Sequence, residues 1–271
     1  AGGTAAGGNA AGGSVDAGAF DGGVDGGTVN DAGVSCPGLT LGVAQEHVYV
    51  DSLAPTGGDG TLACPLRLLS TALALPAPGS GVLLRTVHLK GQSSGRLYSE
   101  PGPFVVPRNV LVTSEYPGST ALASWVVLSA NGVCATGLRC AVRIQARAIL
   151  QAVTVTPLTG SPAAGVVMDV GNISEPPRLT NSVVTGASAS GIVALGYASV
   201  VDSTSSNNAG HGLECTSTAS AYVSLSGTGL AGLRNRFTSN QRSGLFLSGN
   251  VSLNGTWVEL TQNGEYGGFF D

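Results

Sequence analysis

Beyond residue 160 the chain falls into short runs of alternating apolar and polar positions, and each run opens on glycine. They are Gly165-Val166-Val167-Met168, Gly191-Ile192-Val193-Ala194, Gly212-Leu213-Glu214-Cys215, Gly244-Leu245-Phe246-Leu247 and Gly268-Phe269-Phe270. A strand turns successive side chains to opposite faces, so the first and third residues after each glycine are predicted to face a core and the second to face out. This puts Val167, Val193, Glu214, Phe246 and Phe270 in one outward column. The glycines stand 26, 21, 32 and 24 residues apart. Asn208, Asn240 and Asn263 precede Gly212, Gly244 and Gly267 by four, as expected of a turn residue that tolerates left-handed backbone and bonds its neighbours.

A period of 21 to 26 with short apolar runs predicts a solenoid in which each coil pairs with the next. Helical repeats need 3.6-residue periodicity, absent after residue 80, and leucine-rich repeats need a Leu-x-x-Leu-x-Leu consensus that is missing. A parallel β-helix remains. The row from Gly212 to Gly244 is about ten residues long for its class, so a loop is expected at 226–232.

Composition supports β-structure. Charged residues make up 10% of the chain, against about a quarter in ordinary domains, and helical surfaces are usually rich in Lys and Glu. The formal charge is −4, from 12 Lys and Arg against 16 Asp and Glu. All of it lies in residues 1–35, where Asp16, Asp21, Asp25 and Asp31 meet no base. The rest is neutral, which argues against a polyanion-binding protein and gives no nucleic-acid partner. Residues 1–35 also hold twelve glycines and eight alanines and cannot bury a core, so they are expected to be a disordered linker reaching roughly 30–35 Å. The folded domain is then 36–271. Such Ala/Gly/Asp stretches resemble the spacer after the acylated cysteine of bacterial surface lipoproteins, which implies a lipid tether as the one route to a membrane. The most apolar window, 66–84, contains Arg67, Pro76, Pro78 and Gly79 and does not read as a span. The single methionine is Met168, so a leading segment is expected to have been removed, and the row opened by Gly268 is expected to continue into a cap or a further domain.

Five cysteines allow fifteen ways of pairing four. Cys134 and Cys140 close a short loop that bridges easily, and Cys36 with Cys64 would close a loop worth about 3–4 kcal/mol in the chain-entropy model. Both imply an oxidising, extracellular or cell-surface setting. Cys215 is expected to be a buried free thiol.

The segment His47-Val48-Tyr49-Val50-Asp51, then Gly57-Gly58-Asp59-Gly60-Thr61, Cys64-Pro65-Leu66-Arg67 with Ala72-Leu73, and Val87-His88-Leu89-Lys90-Gly91 resembles the opening of an uncharacterised secreted family among the pectin-lyase-like right-handed parallel β-helices. Phe104-Val105-Val106-Pro107-Arg108-Asn109-Val110-Leu111-Val112 is similar to that family's next strand pair. The chain departs from it at Leu68-Leu69, where Thr-Ile is common, and at Asn109, where Gly is common. The resemblance covers 47 to about 112. It implies an all-β, right-handed, single-stranded parallel β-helix with a short N-terminal capping helix, here expected over 65–75, and brings no catalytic residues.

Candidate chemistry is sparse. Glu214 and Asp169 should lie about 12 Å apart, two rungs and one outward column away, whereas glycosidase carboxylates sit about 5–9.5 Å apart. Gly210-His211-Gly212 resembles a polygalacturonase tripeptide, but its acidic and basic partners are missing. Gly227-Thr228-Gly229-Leu230-Ala231-Gly232 fits a dinucleotide-binding pattern without the helix and acidic residue that motif requires. Asp202, Glu214 and Glu259 are too scattered to chelate a hard cation. No cofactor or metal is expected. Row alignment places Asp202 beside Arg234, and Arg236 beside Glu259, as ladder pairs. With Cys140, Val142, Ile144 and Ala146 facing in, Arg139, Arg143 and Arg147 should line one outer face able to hold acidic sugars. Phe246 and Phe270, with Trp257, are candidate sugar-stacking rings. The expected function is a secreted or surface-tethered module of structural or carbohydrate-binding type. The alternatives are a polysaccharide lyase or glycoside hydrolase on an acidic polysaccharide, and an assembly scaffold or adhesin.

Overall fold

The computed structural model describes residues 28–29, 35–36, 45–76, 84–116, 122–135, 137–160, 162–229 and 233–271. It is all-β with parallel sheets. Among the described residues, helix is confined to Leu69–Leu73 and a 3-10 turn at Ala123–Trp125.

The strands form three parallel stacks, and the chain visits them in rotation. The first holds Phe104–Val106, Leu138–Ile144, Ala164–Met168, Ile192–Ala194, the front halves of Leu213–Ser226 and Leu245–Thr256, and Gly268–Phe270. The second holds His47–Val50, Arg85–Leu89, Val110–Thr113, Ile149–Gln151, Arg178–Thr180, Ala198–Val201 and the back halves of the same two long strands. The third runs from Arg96–Ser99 through Val126–Ser129, Thr154–Val155, Val183–Thr185, Thr204–Ser206 and Asn235–Thr238 to Val258–Thr261.

In the later rows the positions predicted to face inward are buried. Ile192 with Ala194, Leu213 with Cys215, and Leu245 with Leu247 join one core with Val142, Ile144, Val166 and Met168, each large aliphatic contributing about 1.5–3 kcal/mol. The row glycines have a packing reason. A Cβ on Gly191 would fall 2.5 Å from Asn208 Nδ2, and one on Gly212 would fall 2.8 Å from Asn240 Nδ2 and 2.6 Å from Gly244 O.

Those asparagines form a ladder, but they are not the left-handed residues. Positive φ belongs to the residue just before each, Asn207, Ser239 and Gln262, and Gly186 repeats it before Ala187 on the preceding row. This turn frees the next side chain to point inward, where its carbonyl replaces a backbone acceptor. Asn208 Oδ1 accepts from the N–H of Ala187 (3.0 Å), Asn240 Oδ1 from that of Asn208 (3.3 Å), and Asn263 Oδ1 from that of Asn240 (3.2 Å). A second corner repeats the device: Ala152, Asn181, Asp202 and Trp257 have positive φ. Ser182 Oγ, Ser203 Oγ and Asn235 Oδ1 accept from the N–H of Val153, Ser182 and Ser203. Buried donors at both corners are thus satisfied without a sheet.

The capping helix is shorter than expected. Leu66 bridges to Val50 as an extended residue, so helix begins only at Leu69. Leu69, Ala72 and Leu73 are buried against the end of the stack, and the Glu100 carboxylate accepts from the N–H groups of Leu69 (2.7 Å) and Ser70 (3.1 Å). Arg85, fully buried, donates to Leu75 O (3.0 Å), Gln45 O (3.0 Å) and Pro76 O. These two charged residues satisfy the open backbone groups of the cap.

Disulfides join Cys36 to Cys64 and Cys134 to Cys140, and Cys215 is free and buried. Two disulfides point to a non-cytoplasmic location. Thr28–Val29 pairs antiparallel with Ser35–Cys36, which places strand inside the segment expected to be structureless. The rest of that linker, 1–27 and 30–34, lies outside the described residues. Among the described residues no helix is long and apolar enough to cross a membrane.

Candidate functional site

The outer face of the first stack carries most of the predicted site residues. Its register is one residue away from expectation in the last row. Phe246 pairs with Phe269, and Leu247 with Phe270, so Phe269 continues the outward column and Phe270 stands in the inward one. Gly267 is therefore the row glycine, the one that lies four after Asn263.

This column reads Val167, Val193, Glu214, Phe246, Phe269. Its first two members are buried although they point outward, because the antiparallel pair Gly132–Ala135 and Leu138–Ile144, stapled by Cys134–Cys140, lies over them. Cys140 packs in this outer cluster, while Ala141 and Val142 both join the main core. The alternation expected over 139–147 breaks there, and again at Arg147, whose φ is 61°. Arg139, Arg143 and Arg147 consequently do not make one face. Arg139 donates to Asn131 Oδ1 (2.9 Å), Arg143 pairs with Asp169 (2.6 Å), and Arg147 pairs with Glu175 (3.0 Å), which also holds Arg108.

The aromatic residues are similarly engaged. The Phe246 ring stacks between His211, at 4.5 Å and 22°, and Phe269, at 5.2 Å and 7°, with Tyr266 tilted against Phe269. Stacked this way the rings turn their faces to one another and present edges to solvent. Ser190 Oγ donates to Glu214 (2.6 Å) and accepts from the His211 N–H (3.2 Å). His211 Nδ1 accepts from the Ser243 N–H (3.2 Å), so the proton of the neutral ring sits on Nε2. Burial, with Arg242 nearby, holds its pKa below the ordinary 6.5. Arg242 itself pairs with Glu265 at 3.1 Å.

Comparisons with protein-family models, curated proteins and solved structures match nothing to this chain.

Trp257 stands apart from this column, at the corner between the second and third stacks. It is 65% exposed and lies under Gly227 and Gly229, where an added Cβ would come within 2.5 Å of the Trp257 Cβ and 2.8 Å of its ring respectively. The expected loop after Ser226 is present in its described part, 227–229 and 233–234, and leads into the strand Asn235–Thr238, so Gly227 to Gly232 precedes no helix. Arg236 and Arg234 both pair with Glu259, at 3.3 and 3.4 Å. Asp202 instead accepts from the Thr228 N–H (2.9 Å), a correction to the expected Asp202–Arg234 pair.

A second aromatic group lies on the second stack. His88 Nδ1 meets Glu115 O at 2.7 Å, and His88 Nε2 meets His47 Nδ1 at 3.0 Å, while Tyr49 stacks on His88. Among the described residues no group of three or more His, Cys, Asp or Glu side chains could hold a metal ion. The missed participants were His211, Ser190 and Phe269; the four-residue spacing from Asn263 to Gly267 was the signal that would have set the register.

Proposed function

We propose that this chain is a right-handed parallel β-helix serving as a rigid structural module of the cell surface or extracellular space. The resemblance of its opening segment and its stacked parallel rows support the fold, and its disulfides support the setting. One observation carries the function: the outward side chains best suited to bind a ligand are spent on neighbouring rows. Arg143 is held by Asp169, Arg147 by Glu175, Arg236 by Glu259, Arg242 by Glu265, and Phe246 by His211 and Phe269. A tether of the lipoprotein kind would suit such a module.

The test is a glycan array read alongside thermal unfolding for Arg143→Ala and Phe246→Ala. The structural role predicts a lower melting temperature and an unchanged array. Loss of a glycan signal by a variant that remains folded would overturn it. Exposed Trp257 supports a second reading, in which a single ring stacks on a sugar. Trp257→Ala on the same array separates the two.

A further inference from the structure

The N-terminal end of the stack contains a cavity of about 320 Å³ lined by Asp51, Leu53, Pro55, Leu62, Lys90 and Tyr116, with the Cys36–Cys64 disulfide in its wall. Its volume is at the lower end of the range for small-molecule sites. A larger neighbouring hollow of about 510 Å³ shares Gly58 with it but has only Arg67 for charge. The smaller cavity brings polar and apolar groups together.

Its charge is unbalanced. Asp51 is a buried carboxylate that takes three partners: Lys90 Nζ at 2.9 Å, the Arg96 guanidinium, and the Leu53 N–H at 3.0 Å. Lys90 and Asp51 line the cavity and Arg96 lies just behind it, so two cations share one anion and the cluster carries a net positive charge. Arg96 is mostly buried, and its Nε has no acceptor. Lys90 is 46% exposed along its side chain and uses one of three N–H donors on Asp51. Around it Leu53, Pro55, Leu62 and Tyr116 give apolar wall, and Leu53 is three-quarters exposed. Tyr116 is held protonated, its pKa raised by burial and then by Asp51.

We propose that this cavity binds a small organic carboxylate with an apolar body, its carboxylate on Lys90 and its body against Leu53, Pro55, Leu62 and Tyr116. Asp51 fixes Lys90 in place and, holding three donors of its own, leaves the surplus charge for the ligand. An amine of the same shape meets the wrong sign, and an amide lacks the charge.

Phenylacetate, phenylacetamide and phenethylamine provide one body with three charges. Calorimetric titration of the full chain, with amide chemical shifts followed at Leu53, Leu62 and Lys90, is expected to show phenylacetate binding about ten-fold tighter than the amide, with the amine weakest. Lys90→Gln should abolish that preference and Lys90→Arg should keep it. Leu53→Asp, at a side chain that is three-quarters exposed, should weaken the carboxylate selectively. Equal binding of acid and amide, or no shift at these residues with any probe, would overturn the proposal and leave the structural role of the later rows untouched.

Discussion

Asn240→Ala removes one rung of the asparagine ladder, and the structure gives the size of the loss. Asn240 is 1% exposed. Its Oδ1 accepts from the N–H of Asn208 (3.3 Å) and from Asn208 Nδ2 (2.9 Å), and its Nδ2 donates to Ser205 O (3.1 Å) and Asn263 Oδ1 (3.0 Å). Four partners inside the stack lose a bond together. Each net hydrogen bond is worth about 1 kcal/mol, and a stranded buried backbone donor costs about 1–3 kcal/mol. Water entering the space recovers part of this. The expected loss is about 3–4 kcal/mol, read as a lower guanidinium midpoint at unchanged slope, with Gln241→Ala on the exposed side as the control. Asn240→Asp should be worse at neutral pH, since it buries a charge and lacks both Nδ2 donors. If Asn240→Ala unfolds within 1 kcal/mol of the parent, the ladder is ornament and the account of the corners is wrong.

Three further outcomes follow from single sites. Asp51 is desolvated, which raises its pKa, but its hydrogen bonds to Lys90 and Leu53 and the charge of Arg96 outweigh this and lower it below 3.8. Its ionised form is thus favoured by folding, so the stability advantage of the parent over Asp51→Asn should be full above pH 3.8 and vanish as pH falls through the lower folded value; an advantage that persists in acid contradicts the assignment. Gly212→Ala would set a Cβ 2.6 Å from Gly244 O and 3.1 Å from Phe237 Cβ; the expected cost is about 1–3 kcal/mol by chemical denaturation, and a neutral result would show that the corner is loosely packed. Burial pushes the Cys215 thiol up to about 11. Mass analysis should find no alkylated thiol in the native chain, one in denaturant without reductant and five after reduction.

Much of the fold could be read from the row glycines, because they mark where one row's backbone meets the ladder of the next and no side chain fits. Loop length pointed to both disulfides, and row alternation to the buried thiol. Four features could not be read, each for a physical reason. Gly267 and Gly268 are adjacent, so alternation alone allowed either register, and that choice moved Phe270 out of the column and Phe269 into it. The hairpin at 132–140 folds over outward residues, so Val167 and Val193 look like solvent positions in a strand pattern and are buried by a distant segment. Arginine spacing shows which residues share a strand but not which acids on the next row claim them; Asp169 is 26 residues from Arg143, and Glu175 is 28 from Arg147. Glu100 and Arg85 complete the cap from other rows and have no local signature at all.

The claim that outward side chains serve the stack is tested most directly by a double-mutant cycle on Phe246 and Phe269, measured by guanidinium unfolding of the parent, Phe246→Ala, Phe269→Ala and the pair. Rings stacked at 5.2 Å and 7° should be coupled by about 0.5–1.5 kcal/mol. Additive losses with no coupling, in variants that unfold like the parent, would contradict the claim.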